Sequence, residues 1–198
     1  MNLLAHAHLS FNQPNILVGN MISDFVKGKK QFDYPAAVQI GIKLHRAIDN
    51  FTDTHEATRQ IKLFFKPQYR LYAGAFTDVV YDHFLANDTT LFTNDENLKQ
   101  FTDIVYKTLE ANFALLPQTF KNMLPFMIQQ NWLYNYKYKE GIKKSFGGLV
   151  KRSRYLTESD IAFKIFNEQY KVIKSFYSIF YPDLKKFAEH QLQQLLKA

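Results

Sequence analysis

Apolar residues along this 198-residue chain recur at helical and not at alternating intervals. Leu44, Ile48 and Phe51 share one stripe, and Phe76, Val79, Val80, Phe84 and Leu85 repeat the spacing further on. Few apolar–polar alternations break the pattern, so it predicts an all-α chain with helices over 15–26, 35–52, 67–91, 95–113, 117–134, 137–151 and 158–180. Pro35, Pro67 and Pro117 each suit a first helical turn, where the missing N–H costs nothing. Thr157 with Asp160 three residues later reads as an N-terminal cap. Pro182 is expected to end or kink the last helix, leaving 183–197 as a short amphipathic tail. No solenoid-length repeat or low-complexity linker divides the chain, so a single helical bundle over 1–198 is expected. With 19 Phe and 12 Tyr, much of its core should be phenyl rings.

Five polar constellations stand against this apolar pattern within the first 83 residues: His6-Ala7-His8, Asp24, His45 with Asp49, Asp53-Thr54-His55, and Asp78 with Asp82-His83. Every histidine except His190 lies there. Gly41, His45 and Asp49 follow one another at four-residue steps, as do Gly74, Asp78 and Asp82. Four residues advance only about 40° around an α-helix, so each pair projects from one stripe. Two such helices crossing would offer one imidazole and three carboxylates. Asp53 continues the first stripe, whereas His55 falls off it and reads as a helix-end residue or one that orients a ligand. Singly, these are caps or surface groups. Together, beside apolar neighbours, several carboxylates are costly to bury without a cation, so the pattern points to a metal site.

Composition narrows the chemistry. The chain has no cysteine, which removes disulfides, thiolate zinc sites and cysteine nucleophiles and leaves His, Asp, Glu or water to hold any metal. Its start has no basic region followed by an apolar stretch, and no later segment reaches the length of a membrane span, so a soluble cytoplasmic protein is expected. The formal net charge of +7 attracts polyanions, whether nucleic acid, anionic lipid or an acidic protein. The basic residues are spread over 27–30, 62–70, 137–144 and 151–154, which suits a folded basic surface as well as plain solvated helix faces.

The strings Leu3-Leu4-Ala5-His6, Gly19-Asn20-Met21-Ile22-Ser23-Asp24-Phe25-Val26-Lys27-Gly28, Gly41 through His55, and Asp78 through Ala86 resemble the acyl carrier protein phosphodiesterase family in order and spacing. Trp132 to Tyr136, Glu140-Gly141-Ile142 and Arg152-Ser153-Arg154 are similar more loosely. The resemblance implies an all-helical enzyme, distantly akin to HD-domain metal phosphohydrolases, that removes 4′-phosphopantetheine from holo acyl carrier protein with manganese. The chain departs from the HD pattern, having no His-Asp dipeptide and showing Asp82-His83 in reversed order.

The residues suit that chemistry. A divalent ion helps hydrolyse a phosphodiester by neutralising phosphoryl oxygens and lowering the pKa of water. Oxygen-rich sites suit Mn2+ and Mg2+, with imidazole accepted more readily by Mn2+. The ligand candidates are His6, Asp24, His45, Asp49, Asp78 and Asp82, more than one octahedral ion takes from protein, so some orient others or a second ion binds. His83 is a general-acid candidate or an orienter of Asp82. Arg46 is placed to clamp the phosphate or to pair with Asp49 or Asp24. Lys27, Lys29 and Lys30, following Asp24, and Arg152 with Arg154 are the candidate surfaces for an acidic carrier. Two other readings are an HD-type phosphohydrolase acting on a nucleotide and a non-enzymatic basic module binding nucleic acid. Gly147-Gly148 is too weak a phosphate loop for the first, and carboxylate stripes would repel phosphate in the second.

Overall fold

The apolar spacing is realised in a computed structural model that describes residues 2–197 and, among them, contains no strand. Its helices are α1 (Leu3–His8), α2 (Pro14–Ile22), α3 (Ala36–Thr54), α4 (Glu56–Tyr69), α5 (Ala73–Ala86), α6 (Asp95–Ala111), α7 (Gln118–Gln129), α8 (Trp132–Asn135), α9 (Lys139–Arg152), α10 (Asp160–Glu168) and α11 (Tyr170–Lys197). The all-α class follows the periodicity, and one continuous apolar cluster joins helices from both ends of the chain. No helix among the described residues is long and apolar enough to cross a membrane.

Several boundaries correct the sequence expectations. The sequence expectations include neither the short α1 nor the part of α4 before residue 67. Pro67 starts no helix: it lies inside the last turns of α4, which begins eleven residues earlier because His55 caps it, Nδ1 accepting the Ala57 N–H at 3.2 Å. The expected 67–91 helix is therefore the end of α4, a reversal at Arg70 and then α5. The expected 117–134 helix breaks at Asn131, whose left-handed backbone (φ 46°) separates α7 from α8. Ser159, not Thr157, stands at the N-cap of α10, and the Glu158 carboxylate accepts the Ile161 N–H at 3.0 Å. Pro182 does not end a helix. Tyr177, Phe180 and Tyr181 before it and Leu184, Ala188 and Leu192 after it are all buried, so packing holds α11 helical through the lost N–H.

Aromatic packing fixes α11 across the bundle. Phe180 stacks on Tyr81 of α5 with centroids 4.3 Å apart, and Phe187 on Phe51 of α3 at 4.5 Å. The closest approach is elsewhere, where α2 crosses α3 glycine against glycine. A Cβ at Gly19 would stand 2.1 Å from the Val38 carbonyl oxygen, and one at Gly41 would stand 2.3 Å from that of Ile16. Backbone carbonyls in packed helices cannot swing aside, so only glycine permits this crossing.

Gly41→Ala is accordingly expected to destabilise the fold by about 2 kcal/mol net, overpacking of about 3 kcal/mol outweighing about 1 kcal/mol of helix propensity. Gly74→Ala, whose Cβ would meet only the flexible Lys62 Cε at 3.3 Å, should be neutral or stabilising. Thermal unfolding followed by circular dichroism checks both, and an unchanged midpoint for Gly41→Ala would refute the crossing argument.

Candidate metal centre

The glycine crossing brings three elements to one point. His6 lies on α1, Asn20 on α2 beside Gly19, and His45 and Asp49 one turn apart on α3 after Gly41. The rings of His6 and His45 stack with centroids 3.8 Å apart and planes 15° from parallel. Both are almost fully buried. Their orientation is set by Asn20, which is fully buried: His6 Nδ1–H donates to its Oδ1 at 2.8 Å, and His45 Nδ1–H donates to its backbone oxygen at 2.7 Å. The Asn20 amide is itself fixed, donating to the His6 carbonyl at 2.8 Å and to Ser10 Oγ at 3.1 Å. Both Nε2 atoms are thereby turned toward Asp49.

Asp49 presents one oxygen to each ring, Oδ1 at 3.2 Å from His6 Nε2 and Oδ2 at 3.0 Å from His45 Nε2. Asp24, on the 3-10 turn after α2, adds Oδ1 at 3.3 Å from His45 Nε2. Burial opposes charge on His45, yet hydrogen bonds to Asp24 and Asp49 and their charges hold its pKa up at about 9. Burial likewise opposes ionisation of Asp49, but its hydrogen bond with His45 keeps its carboxyl far below the usual carboxylate range. The His45 hydrogen bond lowers Asp24 as well. His6 differs. Burial first and the neighbouring His45 charge second push it down to about 4, so at neutral pH it is uncharged.

A neutral His6 holding its proton on Nδ1 leaves a lone pair on Nε2, and that buried nitrogen has no hydrogen-bond partner in directed geometry. Two electron-rich atoms, His6 Nε2 and Asp49 Oδ1, thus face one another at 3.2 Å. Such a pair calls for a cation between them. Donor atoms of His6, His45 and Asp49 all lie within 4.8 Å of one another, and this two-imidazole, one-carboxylate set with Asp24 alongside suits a divalent transition ion. The side chains of Asp24 and Asp49 are 74% and 40% exposed, so the group opens to solvent on their side.

The expected convergence of one imidazole with three carboxylates is corrected. Asp82 is fully buried and turned to α1, Oδ2 accepting the Leu4 N–H at 2.7 Å and Oδ1 the Ala5 N–H at 3.2 Å. It caps the helix that carries His6 and stands outside the donor group, its pKa pushed up to about 7 by burial. Asp78 is half-buried and also outside the group, its pKa raised by burial and by the nearby Asp49 charge. His83 faces away: Nδ1 bonds the Tyr136 carbonyl at 2.8 Å, Nε2 lies 3.0 Å from the Tyr170 hydroxyl, and burial lowers it to about 4. Both nitrogens are thus engaged by Tyr136 and Tyr170 and not by Asp82. Arg46 makes neither expected carboxylate pair, donating instead to Gln31 Oε1 at 2.8 Å and to the Val26 carbonyl at 3.2 Å, which ties down the basic segment after Asp24. Lys27, Lys29 and Lys30 are exposed on that segment and make no ion pair among the described residues. Arg152 and Arg154 are exposed at the end of α9, where Glu158 accepts from Gln68 and Tyr69 and fastens the following connection to the end of α4. Asn20 is the site residue that sequence reading passed over. Its signal was a polar residue inside the apolar run 16–22.

A family model described as acyl carrier protein phosphodiesterase matches residues 1–184. The chain is similar to proteins of that name from Photorhabdus laumondii, 30% identical with 96% of each chain covered, and Klebsiella pneumoniae, 30% identical over 96% of this chain and 99% of the relative. One from Yersinia pestis is 28% identical over the same shares. No solved structure matches.

The geometry yields two expectations. Asn20→Ala should weaken any Mn2+ binding by roughly 10- to 100-fold, because His6 loses the Oδ1 that fixes its ring while His45 keeps the backbone oxygen of residue 20, and calorimetric titration with Mn2+ measures it. The second concerns pH in metal-free protein. A folded-state pKa of about 9 against 6.5 unfolded means that His45 contributes stability in full below pH 6.5 and loses it as pH rises through 9. The unfolding midpoint should fall between pH 7 and 9 in the wild type and stay flatter in His45→Gln. Equal slopes would remove the His45 ion pairs from the account.

Proposed function

We propose that this chain, which belongs to the acyl carrier protein phosphodiesterase family, hydrolyses the phosphodiester joining 4′-phosphopantetheine to the serine of holo acyl carrier protein, using Mn2+ in preference to Mg2+. The observation that carries the metal dependence is the unpartnered His6 Nε2 facing Asp49 Oδ1 inside a group of three converging donors. His6, His45 and Asp49 would hold the ion, with Asp24 as the next donor. When bound, it supplies charge neutralisation at the phosphoryl oxygens and a lowered pKa for water.

The chain's own residues do the rest. Asn20 keeps both Nδ1 atoms protonated, so that Nε2 of His6, and of His45 once its second proton leaves, presents a lone pair. Asp82 anchors the first turn of α1 and so fixes where His6 stands. The solvent-open side at Asp24 and Asp49 admits the diester. Water oxygen bonds to phosphorus as the phosphorus–serine oxygen bond breaks, and the serine oxygen takes a proton to give apo carrier. Lys27, Lys29 and Lys30 stand next to Asp24 in sequence and would meet the carrier's acidic surface at the rim, with Arg152 and Arg154 as a second patch.

Incubation of holo carrier with the protein and Mn2+, followed by mass measurement, should show loss of the phosphopantetheine arm, and chelation should stop it. Asp49→Asn should lower kcat/KM by at least ~100-fold, beyond what loss of an orienting partner costs, with the helical circular dichroism retained. A carrier of unchanged mass under these conditions would defeat the proposal.

A further inference from the structure

The α4 surface carries a second feature that the metal group does not use. Arg59, Lys62 and Lys66 follow at steps of three and four residues, one stripe about 10 Å long, and Arg70 continues the row at the reversal after α4. The opposite face of α4, including Ile61, Phe65 and Tyr69, is buried. Together with the start of α5 the stripe borders an open groove of about 570 Å³. Two leucines line it in the open, Leu63 at 55% and Leu71 at 99% exposure. Leu71 follows Arg70, whose backbone (φ 47°, ψ −116°) lies in a region that glycine tolerates and arginine does not. A strained turn that holds a leucine wholly in water, among cations, is not explained by the fold.

The inner end of the groove adjoins the metal group. Asp53 and Asp78 close it, Asp53 one turn beyond Asp49 on α3 and Asp78 near enough to feel the Asp49 charge. Lys62 is paired with Asp53 at 2.7 Å and Arg59 with Glu56 at 3.6 Å, whereas Lys66 and Arg70 make no ion pair among the described residues. The groove is therefore cationic and apolar at its outer end, where Lys66, Arg70 and Leu71 lie, and nearer to charge balance at its inner end, where Lys62 meets Asp53. A nucleic-acid backbone would leave the exposed Leu63 and Leu71 without a partner, and a second copy of this +7 chain would be repelled by the outer cations. The complementary occupant is a helix with one acidic stripe and apolar residues beside it.

We infer that this groove docks an acidic amphipathic helix of the carrier protein, with the arm-bearing end toward Asp53 and Asp78, so that the phosphodiester reaches Asp49. The inference rests on the proposed function for the identity of the carrier. Apo carrier, which has no arm to hydrolyse, tests docking apart from chemistry. Wild type should bind fluorescently labelled apo carrier with an affinity that falls as salt rises, and Lys66→Glu/Arg70→Glu and Leu71→Asp should each weaken it about tenfold or more, the first with a flatter salt dependence. Because these side chains are exposed, the melting midpoints should match wild type. Equal affinity in wild type and both variants overturns the inference even if holo carrier loses its arm. Failure to release the arm while the variants weaken apo-carrier binding overturns the catalytic reading and leaves the groove assigned. Sedimentation showing a dimer that Leu71→Asp dissolves would give the face to a second copy and also overturn it.

Discussion

One carboxylate, Asp49, faces two stacked imidazoles whose outer nitrogens are both fixed by Asn20, and the ring pair tolerates a single positive charge between its members. Two imidazolium rings 3.8 Å apart would repel in a buried setting. None at all would leave Asp49 facing two bare lone pairs. In the metal-free protein the charge is the proton on His45 Nε2, shared with Asp24, while His6 stays neutral. A divalent ion would occupy the place of that proton, so filling the site exchanges one cation for another and needs no rearrangement of the helices.

That geometry depends on the backbone beneath it. Asn20 reaches both rings because α2 and α3 touch through Gly19 and Gly41, closer than any side chain would permit. His6 is brought in from a six-residue helix too short to be stable alone, and Asp82 of α5 supplies two of its orphan N–H groups with acceptors. The buried carboxylate that spacing placed among the ligands thus acts one step back, on the helix that carries a ligand.

Sequence pattern revealed the helical class, the stripe of His45 and Asp49 and the crowding of polar chemistry into the first half, because periodicity and local spacing are written in neighbouring residues. It did not reveal which stripes meet. Asp78 and Asp82 share the spacing of His45 and Asp49, but the rotation of α5 is set by Phe76, Val80 and Leu85 packing into a core that no local rule describes. Proline misled in the same way. Pro67 and Pro182 read as boundaries, yet burial of residues on either side of each kept the helix intact. Asn20 was hidden because an asparagine within an apolar run reads as a tolerated exception until both its partners are seen.

The charge distribution then acquires a sense that the net value alone lacks. Asp24 and Asp49 flank His45, and Asp53 and Asp78 line the groove beside α4, with exposed lysines 27, 29 and 30 following Asp24 and the α4 cations bordering the groove. A uniformly basic surface would attract any polyanion and hold it anywhere. A basic rim around an acidic centre instead draws an acidic partner to its edge and resists a phosphate at its middle until a cation offsets the carboxylates. In the proposed reaction, selectivity for a phosphodiester borne on an acidic protein would come from that layered field and not from the size of the net charge.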